Sequence, residues 1–549
     1  MKRSLVLFFM LLFTVQLQLC AVSASVLTQE PVVGDTAETM YSNGIKAFNS
    51  KDYKSAVSLW KDAAKLGHVS AQCNLGSCYA DGCGVKQNYT KAVSWWKKAA
   101  YAGHDVAQCN LGNSYLNGNG VKQDYVKAVD WYILSSEKGN AVATNALGLC
   151  YKNGTGIDKD SAAAVGCFMI AAKSGFPPAQ YELAECYFSG GSTTSDVGSA
   201  LYWYTTAAEN GYALAQRKLG MLYEAGYGVA RDYNEAVKLY EKAADNGDID
   251  AIYLLAECYY AGNGVPRNHV EAAGLYLKAA KKGHVKSQTA LGNCYYNGNG
   301  VKQSYKRATV WYGHAAAKND AEALFRLADC YYNGEGVVPN LEKSVKLYRR
   351  AAELGHADAQ YYLAEAYYTG EGVEPDEAEA YSWYLKAAAN GNAASHNILG
   401  YYHYKGGYVE KDYVKAAEWF HSGAELGDAE AQFNIGNCYF MGYGVEKNPF
   451  AAVRWYIRSA EKGYVQAQYN LGVCYYNGVG VEQNYAEAAM WFGKAAEQEY
   501  AAAQYDLGVC YYNGQGVEKN RDEAARLWRR AAESGNEDAS DALKELIAD

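Results

Sequence analysis

The residues with the plainest chemical potential are the glycines of Gly298-Asn299-Gly300-Val301, set between Tyr295-Tyr296 and the basic stretch from Lys302 to Arg307. A glycine pair of this kind cradles a phosphate when it stands between a strand and a helix, because backbone N–H groups and the helix dipole then converge on the anion. The chain also holds 14 cysteines and 9 histidines. Nine of the cysteines (Cys78, Cys150, Cys186, Cys258, Cys294, Cys330, Cys438, Cys474 and Cys510) stand at multiples of 36 residues from one another. That is far from the few-residue spacing of zinc ligands. His68, His104, His284 and His356 each follow a glycine and read as turn residues. The chain contains no His-Glu-x-x-His and no Gly-x-Ser-x-Gly, and no nucleophile recurs beside a base. The sequence therefore predicts no catalytic residue, no metal and no cofactor.

The elements that position these residues repeat. Aligned on Ala-x-x-x-Leu-Gly, units begin at Ala71 and at every 36th residue through to a partial unit at Ala539, with Ser287 and Ser395 in place of the leading alanine. Gly-x-Gly-Val recurs ten times and once as Gly154-Thr155-Gly156-Ile157. Ala71, Leu75, Cys78 and Tyr79 lie three or four apart and share one face of a first helix, A; Ala92, Trp95, Trp96 and Ala99 do the same for a second, B. Gly82 and Gly84 end helix A, since glycine takes the left-handed conformation cheaply. Thirteen Asn, Asp or Ser residues, from Asn88 to Asn520, stand where a side-chain oxygen must cap helix B. The glycine pair is thus a joint between two helices, and the phosphate reading fails for want of a strand.

The spacing Leu75-Gly76-x-x-Tyr79 resembles the tetratricopeptide pattern, and Gly-x-Gly-Val followed by Tyr-x-x-Ala-Val-x-Trp-Tyr-x-Lys-Ala-Ala resembles the Sel1-like repeat family over residues 71–549. The resemblance implies an all-α fold, an α-solenoid in which antiparallel helix pairs of 36-residue repeats stack into a right-handed superhelix. One pair cannot bury both of its faces, so each must pack on its neighbours. At about 9–10 Å per helix layer the contour would be on the order of 130 Å. The expected organisation is a secretory leader at 1–24, a linker at 25–36, a shorter tetratricopeptide-like unit at 37–70, thirteen units at 71–538 and a capping helix at 539–549. The turns at 189–197 and 405–412 depart from the pattern, because the glycine spacing changes there.

Met1-Lys2-Arg3, an apolar run from Leu5 to Val15 and the small residues Val22-Ser23-Ala24 give the order of a signal peptide cut after Ala24. The compartment would be periplasm, extracellular space or endoplasmic reticulum lumen. A formal charge of −9 offers no field for nucleic acid or anionic lipid, and no later apolar run reaches the roughly 20 residues of a membrane span. Export invites a disulfide reading of the cysteines, but equivalent positions in adjacent units stand about 9–10 Å apart, beyond the roughly 7 Å a disulfide allows. The in-phase thiols are expected to be buried packing groups; Cys73 and Cys109 are the off-series pair that could face across neighbouring helices.

If helix A lines the inside of the solenoid, as the tetratricopeptide resemblance implies, two of its columns face a groove. One contains Tyr181, Tyr253, Phe325, Tyr361, Phe433, Tyr469 and Tyr505; the next contains Glu185, Glu257, Asp329 and Glu365. Aromatic side chains make strong low-entropy contacts, so these residues are the candidate site for a protein or an extended basic peptide. The same aromatics can instead pack between units with the acids solvated. The family resemblance favours a non-catalytic scaffold, and the mature chain is expected to be monomeric or weakly associating; a glycan- or cell-wall-binding module using the tyrosines is the alternative.

Overall fold

The computed structural model describes residues 35–190 and 195–548, which form 29 helices, α1 (Asp35–Asn49) to α29 (Glu537–Ala548), with no strand among the described residues. The expected leader, the linker up to residue 34 and residues 191–194 of one altered turn lie outside the described residues. The chain divides into two compact units between Ala251 and Ile252. Within each, antiparallel helix pairs stack one after another, an all-α solenoid.

One pair shows why the sequence folds this way. Ala71, Leu75 and Cys78 of α3 (Val69–Asp81) pack on Ala56, Trp60 and Ala63 of α2 (Tyr53–Lys65) in the preceding pair. On its other side α3 meets α4 (Tyr89–Tyr101), where Gly76 lets Trp96 lie against the helix backbone; a Cβ on Gly76 would stand 2.5 Å from the indole. Trp96 donates its indole N–H to the Cys73 carbonyl, 3.2 Å away. Burying a side chain of this class stabilises by about 2–3 kcal/mol, so each helix A is held from both sides by helix B residues.

The joint between A and B is built from its own chain. Gly82 closes α3 in the left-handed region (φ 78°), donating to the Cys78 carbonyl. Gly84 (φ 71°) is needed for a second reason: a Cβ there would fall 2.3 Å from the carbonyl oxygen of Tyr53, at the start of the preceding helix B. The Asn88 N–H then returns to the Tyr79 carbonyl at 2.7 Å, and its side-chain oxygen caps α4 by accepting from the Lys91 N–H at 2.9 Å. The altered turn after Lys405 keeps this closure, with Asp412 N–H on the His403 carbonyl at 2.8 Å, although Gly406 leaves the helix with ψ −173°.

The histidines after the closing glycines do more than turn the chain. Nδ1 of His68, His104, His284 and His356 accepts the N–H three residues on and so caps the next helix A. Asn140, Asp320, Asn392 and Asp428 serve identically in other repeats. All nine in-phase cysteines are buried thiols, as are Cys73 and Cys109. Burial pushes the Cys294 and Cys438 thiols up to about 11 and Cys330 and Cys510 to about 12, which suppresses the reactive thiolate.

Candidate functional site

The acidic column is tied to helix B. In the unit up to Ala251, the Tyr204 hydroxyl donates to Glu185 at 2.6 Å. From Ile252 on, Tyr276 donates to Glu257 at 2.6 Å, Tyr348 to Asp329 at 2.6 Å, and Tyr384 to Glu365. Where the acid is replaced by asparagine the bond persists: Tyr132 to Asn113, Tyr312 to Asn293 and Tyr456 to Asn437, each at 2.7 Å. Each pair is 19 residues apart. Where helix B carries Phe168, Phe492 or Trp528 instead, with no phenol to satisfy, the column holds Leu149, Val473 or Val509. A buried hydroxyl demands an acceptor, and the two positions change together between repeats of this one chain. That correlation was readable in the sequence, and the two helix columns read separately miss it. Three repeats depart from the rule: at Met221, Tyr240 turns to Glu224 at 2.6 Å, and Ser77 and Tyr401, upstream of Trp96 and Phe420, turn their hydroxyls to the Cys73 carbonyl and to Glu430.

The aromatic column is paired as well, with the capping residue 31 positions on. Tyr181 meets Tyr212 with ring centroids 5.6 Å apart. In the second unit Tyr253 meets His284 at 5.2 Å, Phe325 stacks on His356 at 4.6 Å, Phe433 meets Tyr464 at 5.3 Å and Tyr469 meets Tyr500 at 5.2 Å. At two polar positions of the column the cap matches it, Arg217 donating to Asp248 at 3.0 Å and Thr289 to Asp320 at 3.0 Å; Asn145 instead stands opposite Phe176, and Asn397 accepts from Asn434 at 2.9 Å. Tyr361 lies against Tyr362 and Tyr384, and Tyr505 lies half-buried beside Trp528. Phe325 is only 6% exposed. The aromatics therefore pack between and within repeats, while the acids hold phenols rather than standing solvated.

A third set links helix A to the turn of the next repeat, 39 residues on: Asn299 donates to the Tyr260 hydroxyl at 2.9 Å, Tyr296 donates to Glu335 at 2.6 Å and Tyr332 to Glu371 at 2.8 Å. The more exposed part of the helix-A face in residues 252–549 lies beside the expected aromatic column, three residues before it and one residue after it. Lys286, Glu322 and Asp358 occupy one row, and Arg326 and Tyr362, four residues further along their helices, occupy the next. Tyr362 is 44% exposed and stacks on Tyr348 at 5.6 Å, so its ring is fixed while one face meets solvent. Glu322 accepts from Arg326 at 2.7 Å and contacts His356 at 2.9 Å; these partners, His356 first, hold its carboxyl down at about 2. The Asp329 carboxyl goes the other way, raised to about 6 by burial.

No group of metal-ligating side chains is assembled among the described residues, and no helix there is long and apolar enough to cross a membrane. A sequence model of the Sel1 repeat matches fourteen successive stretches, 35–68, 69–104 and every 36 residues thereafter to 501–536. The chain belongs to the Sel1-repeat family. This Sel1-repeat protein is similar to c5321, a protective antigen of uropathogenic Escherichia coli strains with an SLR fold, at 34% identity over 83% of this chain and 93% of that one, TM-score 0.61. It is also similar to a Sel1 repeat protein from Oxalobacter formigenes, at 29% identity over 55% of this chain and 87% of that one, TM-score 0.45. No match was found among curated proteins. Sel1 repeats build a scaffold consistent with protein interaction, and this chain carries that scaffold over residues 35–536.

Proposed function

We propose that this Sel1-repeat protein is a non-catalytic scaffold, acting outside the cytoplasm, that holds an extended segment of a partner protein against the helix-A face of residues 252–549. The observation that carries this reading is the division of labour on helix A. Most of its core-facing and inter-repeat positions are matched to a partner in a neighbouring helix, whereas Lys286, Glu322, Arg326, Asp358 and Tyr362 are solvent-accessible and differ from repeat to repeat. A ring held by packing with one face in water loses little entropy on binding, which suits it to anchor a partner. Export rests on the leader-like order of residues 1–24 and on the likeness to a protective antigen; N-terminal sequencing of the protein from its source should begin at Ser25.

The test is affinity capture from the native source. Tyr362→Ala with Arg326→Ala is expected to weaken capture of the principal partner at least tenfold, while Phe450→Ala, at a 71% exposed helix-B position, leaves it unchanged. The reverse result would move the binding surface to helix B.

A further inference from the structure

Resting on the scaffold reading, the geometry points to a socket for one basic side chain of the bound segment, formed in the second unit between three successive helices A. A cleft of about 360 Å³ opens there, walled by Tyr253 and Tyr260, with Glu257 and Asp320 reaching in and Lys286 and Glu322 among its lining. The volume accommodates a lysine or arginine side chain.

The charge balance selects the occupant. Glu257 is held by the Tyr276 hydroxyl, and Asp320 by the Thr289 hydroxyl at 3.0 Å and the Ala323 N–H at 2.9 Å. All of these donors are neutral, so they orient the two carboxylates without cancelling their charge. Tyr253 lies between them: burial first, then Glu257 and Asp320, raise its phenol to about 12. Glu322 is already matched by Arg326 and His356, and Lys286 is the one Lys or Arg among the residues that line the cleft, against the two carboxylates of Glu257 and Asp320. An apolar occupant would strip water from two carboxylates with no return, and an anion would be repelled. A guanidinium or ammonium gains charge-assisted hydrogen bonds from both acids and lies over an aromatic wall.

The chain's own repeats supply neutral replacements that keep the fold. Asn113, Asn293 and Asn437 accept the same phenol hydrogen bond that Glu257 accepts, and Asn140 and Asn392 cap helix A as Asp320 does. The probe is a fluorescein-labelled, end-blocked nonapeptide of glycine and serine with three arginines, alongside its citrulline twin, titrated by anisotropy into the full chain. Glu257→Asn with Asp320→Asn is expected to weaken the arginine peptide about tenfold or more and to leave the citrulline peptide unchanged. Glu446→Gln with Glu482→Gln, an equal charge change at exposed turns, is expected to weaken it less than twofold.

Equal weakening by the two pairs, or none by the first, overturns the socket. Partner capture separates the two ideas. If Tyr362→Ala abolishes capture while the Glu257 and Asp320 changes affect neither capture nor the arginine peptide, the socket falls and the scaffold stands.

Discussion

A helix-B tyrosine and its acceptor 19 residues upstream are chosen together, so changing one alone should cost more than changing both. Tyr384→Phe removes one of the two phenols that face the partly buried Glu365 carboxylate, a loss of roughly 1–3 kcal/mol. Adding Glu365→Val, which reproduces the Val473 and Phe492 pair, should recover most of it, read as amide-exchange protection in 357–369 and 377–389. Asp329 makes a pH-dependent version of the same argument. Its folded pKa of about 6 lies above the ordinary carboxylate value, so between about pH 4 and 6 the native state binds more protons than the unfolded chain. Stability then falls as pH rises through that window and stays lower above it. Asp329→Asn keeps the Tyr348 bond, as Asn293 keeps that of Tyr312. It should raise local protection by about 1 kcal/mol at pH 7, after discounting for partial solvent screening, and flatten the pH profile. A gain at pH 4 equal to that at pH 7 would contradict the assignment.

At the scale of the joint, the two glycines of each turn are not equivalent. Gly298 is fixed mainly by its left-handed φ of 77°, with its nearest neighbour, the Gln303 Cβ, 3.3 Å from where a Cβ would stand. Gly300 combines φ 71° with a Cβ position 1.9 Å from the His269 carbonyl oxygen. Gly298→Ala should cost roughly 1–2 kcal/mol, the left-handed penalty alone. Gly300→Ala should cost at least twice that, because the turn must lift from the preceding helix B; hydrogen exchange at residues 269–273 would report the difference. The glycine spacing and thirteen caps made the joint legible in sequence. The steric role of the second glycine was not legible, because its neighbour lies about thirty residues back in another repeat.

For the molecule, local pairing implies that whole repeats are removable. Deleting 321–356 joins Asp320 to Ala357, so Asp320 caps the next helix A, and Tyr296 meets Glu371 where it had met Glu335, an acid in both cases. Because stability in such arrays is a sum of repeat and nearest-neighbour terms, this variant should keep the parent's helicity per residue and unfold at a similar midpoint. Deleting 321–338, half of that stretch, removes helix A and its turn and should lose cooperative unfolding by circular dichroism. Equal behaviour of the two deletions would refute a 36-residue unit of stability.

The sequence by itself determined the periodic part: the 36-residue step, the two helices, their caps, the glycine joints and the burial of the in-phase cysteines. Each depends on contacts within a repeat or on a copy of it, so periodicity exposes them. Which side of helix A meets solvent was decided by tertiary packing. Phe325 and Tyr362 both occupy variable positions, yet Phe325 is sealed under His356 while Tyr362 keeps a face in water. The rotation that separates them comes from pairings 19, 31 and 39 residues apart, set by helices lying against one another. A column read along one helix does not contain its partner, and the partner decides whether a side chain holds the array together or is available to bind.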